Sequence, residues 1–295
     1  MLRPFYKPSL SSPWVRARRV VSFTSIAACG VLMAVSSPVK AQSAPSNLQL
    51  LDQALLKSQG ADEVFVGDMI FPRANFLNYR DKVAGQGDRS TRSSFYNVAR
   101  WTGGNVYYSF NASLPTAQRT AFLEACREWE KWVNVKFVAR TTQANYINVY
   151  HDSNDGSFSF IGMVGGVQDM SLASWATKWT ACHEIAHALG AMHEQCRSDR
   201  DNYVSIDFSN VSSGTEGNFA IISTSINKAD YDFDSVMHYY STAFANDSSK
   251  PTIICKPAYT QYQSTMGQRD HLSSLERRGW SRYMGRPCPT TRFRA

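Results

Sequence analysis

The chain of 295 residues has no uninterrupted apolar run of about 18 residues, so no segment reads as a membrane-spanning helix. Its six cysteines form no Cys-x-x-Cys pair, which argues against a thiolate-held zinc ion. There is no internal repeat and no low-complexity tract, so solenoid and fibrous architectures are not expected. Acidic residues are missing from positions 1–41, which carry Arg3, Lys7, Arg16, Arg18, Arg19 and Lys40. The formal charge of +7 is therefore misleading. Of 31 basic residues, setting those six aside leaves 25 against 24 acids, or +1. A nucleic-acid binder keeps a basic patch in its folded domain, so nucleic acid is not an expected partner.

What is present suits a packed globular protein. Hydrophobic residues make up 43% and aromatics 13%, too much for a disordered chain. The N-terminus has the parts of an export signal: Arg16, Arg18 and Arg19, then a mostly apolar stretch from Val20 to Val35, then Val39-Lys40-Ala41 with the small residues of a cleavage site. Residues 1–41 are read as a signal peptide, and the Arg18-Arg19 pair leaves a twin-arginine route open. Residues 42–92 are mixed and polar and end in a basic, easily cut stretch containing Arg89 and Arg92. Regular structure reads more clearly from residue 101 onward: strands at 106–110, 135–138 and 146–150, and helices at 115–133, 178–189 and 272–283. Gly162, Gly165 and Gly166 mark a turn.

The most informative stretch is His183-Glu184-Ile185-Ala186-His187-Ala188-Leu189-Gly190-Ala191-Met192-His193. On a helix, residues 183 and 187 lie one turn apart on the same face, so both imidazoles reach one ion. Gly190 tolerates the positive φ that ends a helix and turns His193 back to the same point. Three histidines leave a fourth position open for water, the pattern of a catalytic rather than a structural zinc. Glu184, beside the first ligand, is placed to act as a base on that water. Zinc lowers the pKa of such a water toward ~7, so a nucleophile exists at neutral pH. The longer pattern His-Glu-x-x-His-x-x-Gly-x-x-His is far more specific than its first five residues.

The stretch continues Glu194-Gln195-Cys196-Arg197-Ser198-Asp199-Arg200-Asp201-Asn202-Tyr203-Val204, and later come Ser235-Val236-Met237-His238-Tyr239. Both resemble the signatures of the astacin family of metzincin proteases. Trp101-Thr102-Gly103-Gly104, Gln168-Asp169-Met170-Ser171-Leu172 and Gly267-Gln268-Arg269 add to the likeness. The resemblance implies an α+β, two-lobed catalytic domain over residues 93–295. Its upper lobe would hold a twisted sheet with helices, and its lower lobe would be mostly irregular with a C-terminal helix. It implies one Zn2+ on His183, His187 and His193, with Glu184 and Tyr239 catalytic. Tyr239 would be a fifth ligand at rest, swinging away to hydrogen-bond the developing oxyanion. Met237 would floor the zinc site, Glu194 would pair with the N-terminus of the mature enzyme, and His238 would be structural.

Phe65-Val66-Gly67-Asp68 resembles the family's propeptide motif. Asp68 would then ligate zinc in place of water and keep residues 42–92 inhibitory until a protease cuts near Arg89 or Arg92. The expected partners are protein or peptide substrates, bound as an extended strand at a sheet edge near residues 162–171. No stable membrane association is expected after signal removal. The expected location is extracellular, or periplasmic in a bacterium, and no recognition domain is expected after the catalytic one. The family's usual cystine positions fall near Ser157 with Ala176 and near Asn134 with Gly285, where this chain has no cysteine. Cys182 with Cys196 is a candidate replacement bridge, and Cys126, Cys255 and Cys288 offer another. The competing expectation is a catalytically inactive, zinc-containing peptide-binding protein, which would tend to lose Glu184.

Overall fold

The computed structural model describes residues 44–58, 61–86, 99–222 and 230–287. The expected signal at 1–41, the expected cut at Arg89 or Arg92, and Cys288 lie outside the described residues.

In chain order the main elements are α1 (Asn47–Lys57), β1 (Glu63–Val66), β2 (Met69–Pro72), α2 (Arg73–Gln86), β3 (Asn105–Phe110), α3 (Thr116–Trp132), β4 (Lys136–Ala139), β5 (Tyr146–Tyr150), β6 (Phe158–Phe160), β7 (Val167–Ser171), α4 (Lys178–Leu189), β8 (Val204–Ile206), β9 (Ile253–Cys255) and α5 (Ser274–Met284). Seven strands form one mixed sheet in the order β1-β2-β6-β7-β5-β3-β4. β3, β4, β5 and β7 run parallel, β6 runs antiparallel to β7, and β2 lies parallel on β6.

Side-chain periodicity explains the packing. Ile147 and Val149 alternate inward on β5 and are fully buried. On α3, Phe122, Ala125, Cys126 and Trp129 recur at helical spacing and meet the sheet and α4 in the main core. Two buried indoles find carbonyl partners: Trp129 Nε1 donates to Cys182 (3.0 Å) and Trp101 Nε1 to Ala188 (2.8 Å). On α4 every residue from Thr180 to Leu189 is buried, as expected of a helix covered on all sides. The part of the chain after α4 is held by single turns, by the two-stranded β8–β9 pair and by α5, whose Ser273–Glu276 capping box closes its N-terminus.

The expected helices at 115–133, 178–189 and 272–283 correspond to α3, α4 and α5, and the expected α+β class is the one observed. Residues 44–86 form α1, a β-hairpin and α2, with a core of their own against the rest of the molecule. Two expectations need correction. The strand near residues 162–171 is not a free edge along its whole length, because Met170 and Ser171 of β7 pair with β6 as well as with β5. The strand that β2 covers is β6. Finally, Cys182 and Cys196 form no bridge. Cys182 lies in the main core with Cys126, Cys196 lies in the core under residues 44–86, and Cys255 lies in a third cluster, so all four are buried thiols.

Candidate metal centre

α4 begins at Thr177, whose hydroxyl accepts from the backbone N–H groups of Trp179 and Thr180. It ends at Gly190, where φ is +109°. The amide of Ala191 there reaches the carbonyl of Ala186 (2.9 Å), closing the last turn and reversing the chain. Only glycine takes this conformation without strain, and it carries His193 back under the helix. The Nε2 atoms of His183 and His187 are then 3.1 Å apart, and those of His183 and His193 3.3 Å apart.

A fourth donor comes from far upstream. Gly67 and Asp68 are the two-residue turn of the β1–β2 hairpin, closed by the Val66–Met69 pair. The Asp68 carboxylate enters the histidine cluster, with Oδ1 2.7 Å from His193 Nε2 and Oδ2 3.2 Å from His183 Nε2. Asp68, His183, His187 and His193 are all buried, and they are the one cluster of potential metal ligands among the described residues.

The donor set fits zinc. Nitrogens 2.0–2.1 Å from a tetrahedral zinc are about 3.3 Å apart, the spacing seen here. His183 Nδ1 meets the carbonyl of Val236 (2.7 Å) and His187 Nδ1 that of Ala191 (2.8 Å). Those carbonyls require the proton on Nδ1, so both Nε2 lone pairs point inward. Burial, and then the nearby Arg269 charge, pushes His183 down to about 3, and burial holds His193 at about 4. Both are therefore neutral at physiological pH. Lone pairs and a carboxylate gathered out of water need a cation among them.

Glu184 is fully buried, and neither carboxylate oxygen has a hydrogen-bond partner. Burial first, then the charge of Asp68, pushes its pKa well above the ordinary range. Tyr239 packs its ring on His193, with centroids 4.4 Å apart, and its backbone N–H donates to Gln195 Oε1 (3.0 Å). Met237 is 3% exposed, and its carbonyl accepts from the amide of Glu194 (3.0 Å). His238 faces elsewhere, one ring nitrogen at the Tyr231 hydroxyl and the other at the Tyr239 carbonyl. Glu194 accepts from Arg197 Nη1 and from the amide of Asp232, both at 2.8 Å, and burial pushes its pKa up to about 7.

Asn218, which with Phe219 adds weakly to the family likeness, accepts through Oδ1 from the amide of Gly67 (2.8 Å) and so holds the hairpin tip. Other contributors were not singled out in the sequence. Glu276 holds the turn at Met237, accepting from the Ser235 hydroxyl (3.1 Å) and the Val236 amide (3.4 Å). The Ser273-x-x-Glu276 capping pattern was a readable signal for Glu276 as a helix cap. Nothing in the sequence points to Gln195 as the partner of Tyr239.

Comparison with known proteins agrees with this geometry. Residues 94–280 match the family model described as Astacin, a peptidase family. The chain is 32% identical over 224 residues to zinc metalloproteinase nas-31 of Caenorhabditis elegans, covering 72% of this chain and 36% of that protein. It is 34% identical over 179 residues to Tolloid-like protein 2 of Homo sapiens, covering 59% and 17%. The chain thus spans about a third or less of the length of these two relatives. Among solved structures it is similar to high choriolytic enzyme 1, a hatching-enzyme zinc protease of Oryzias latipes, with a TM-score of 0.57 and 28% identity over 62% of this chain and 92% of that one. A match that takes in all of α4, the turn at Met237 and the start of α5 makes this chain a member of the astacin family, whose peptidases depend on zinc.

Proposed function

We propose that the chain is an exported zinc endopeptidase made as an inactive precursor, with residues 1–41 as signal, 42–92 as prosegment and 93–295 as catalytic domain. The observation that carries this reading is the convergence of three buried imidazoles beside a buried carboxylate, Glu184, that has no hydrogen-bond partner. His183, His187 and His193 would hold the metal in the working enzyme, Asp68 would join them only in the precursor, and Tyr239 would complete the resting site. Zinc, when bound, supplies Lewis acidity that activates water near pH 7 and polarises a peptide carbonyl.

The chain's own residues do the rest. Glu184 takes a proton from the attacking water and passes it to the leaving amine. A neighbour with no competing hydrogen bonds and a raised pKa suits that transfer. The Tyr239 phenol donates to the oxygen that gains charge. β6, once uncovered, offers a strand edge on which an extended substrate can lie. In the precursor that edge carries β2, and Asp68 occupies the histidine cluster, so substrate and nucleophile are both kept out. Export rests on the N-terminal sequence pattern alone, and no helix among the described residues is long and apolar enough to cross a membrane.

The test is cleavage of a peptide library by trimmed, zinc-loaded protein, with a chelator and Glu184→Ala as controls. Cleavage that both controls abolish is expected. A zinc-loaded protein freed of residues 42–92 that cuts nothing would favour a peptide-binding role instead.

A further inference from the structure

Resting on the peptidase reading above, we propose that residues 44–86 are a self-sufficient inhibitor whose hold on the catalytic domain does not depend on the peptide link. A single cut beyond α2 leaves them seated, and the site opens only when they are removed by a second event.

The attachment is distributed along the whole segment. At its start, the Asn47 side chain pairs with the backbone of Ile221 on both sides, receiving its N–H (2.7 Å) and donating to its carbonyl (3.0 Å). Near its end, the Tyr79 hydroxyl donates to that same carbonyl (3.0 Å). In the middle, the amides of Ser159 and Ile161 donate to the carbonyls of Asp68 (3.0 Å) and Ile70 (3.1 Å), continuing the sheet. α1 lies so close to the turn at Glu216–Phe219 that a Cβ on Gly217 would stand 3.0 Å from the Leu50 carbonyl oxygen and 3.2 Å from the Ala54 nitrogen.

Apolar burial adds to these bonds. Leu51, Val66, Met69 and Phe76 are each at most 1% exposed, in a cluster shared with Met192 and Ile222 of the catalytic domain. None of these contacts lies beyond Gln86, so a cut near Arg89 or Arg92 breaks none of them. What such a cut removes is the high effective concentration that a tether provides. An interface with a buried apolar centre and paired polar groups then sets its own dissociation rate. The partner of this surface is therefore the excised prosegment, acting as a protein inhibitor in its own right.

The experiment is to replace residues 89–92 with the recognition sequence of a site-specific protease, cut the purified precursor once, and pass it through a sizing column at micromolar concentration. The expected result is co-elution of the two pieces, activity at least ten-fold below that of enzyme stripped of its prosegment, and slow recovery on dilution. Asn47→Ala combined with Tyr79→Phe should release the fragment at ten-fold or more higher concentration. Limited trypsin digestion of the unaltered precursor, stopped when the new N-terminus appears, repeats the measurement without the inserted site. Separate elution of the fragment, or full activity while the pieces remain together, overturns the proposal. Co-elution is read without any catalysis. An inactive stripped enzyme would therefore count against the peptidase reading alone.

Discussion

Gly67 sits directly against Tyr239. Its φ is +68°, and a Cβ built there would lie 2.0 Å from the Tyr239 hydroxyl oxygen. Any other residue meets two penalties, the left-handed backbone at about 1–2 kcal/mol and the clash itself. Gly67→Ala should therefore loosen Asp68 and raise the residual activity of the uncut precursor by roughly ten-fold or more, since ~1.4 kcal/mol is a factor of ten. Activity of the purified precursor against a peptide substrate checks this, and an unchanged residual activity would count against it. At this scale the meeting of the three histidines was legible because HExxHxxGxxH encodes a helix face and a reversal, both local geometry. The roles of Gln195 and Asn218 were not legible. Each acts on a residue far along the chain, at Tyr239 and Gly67, and no spacing reports such a meeting.

Between residue and fold, the reversal after α4 carries the third imidazole. Gly190→Ala puts a Cβ into a backbone at φ +109°. The expected cost is on the order of 1–2 kcal/mol, with weaker zinc retention because His193 is displaced from His183 and His187. Thermal melting and competition against a metal-binding dye would show both effects, and zinc affinity equal to the parent's would contradict the second. The helices α3 and α4 were readable from the sequence: α3 repeats its apolar residues every three or four positions, and α4 carries the motif itself. Residues 44–86 were not, for reasons specific to each element. The segment's mixed, polar composition hides α1, although Ser46 and Gln49 form a capping box and Leu50, Leu51 and Ala54 make one buried face. α2 buries only Phe76 and Tyr79 and so has little amphipathic pattern to read. The misplaced edge has a similar cause. β6 is three residues long, too short to register beside β7.

At the scale of the molecule, buried carboxyl groups set the response to pH. Burial, and then the charge of Asp232, pushes Glu276 up to about 8 from the ordinary 4.5. The folded chain therefore holds a proton that the unfolded chain loses, and stability falls as pH rises from about 4.5 through 8. Glu128 works in the other direction. Although burial opposes it, hydrogen bonds from Lys178 and Lys131 hold this group at about 2, so its contribution is present above 4.5 and is lost as pH falls toward 2. Glu276→Gln should flatten the melting temperature between about pH 5 and 8 and leave the acid limb unchanged. A variant whose profile parallels the parent's would show that Glu276 does not govern that window.

The four buried thiols have a practical meaning. Burial pushes Cys196 up to about 12 and Cys255 up to about 11, and drives Cys126 and Cys182 upward as well, so none offers a thiolate for exchange. No cystine is present among the described residues. Excess dithiothreitol should leave the melting curve where it was, and a drop would reveal a bridge. The same melting curve is then expected for protein prepared in a reducing and in an oxidising compartment.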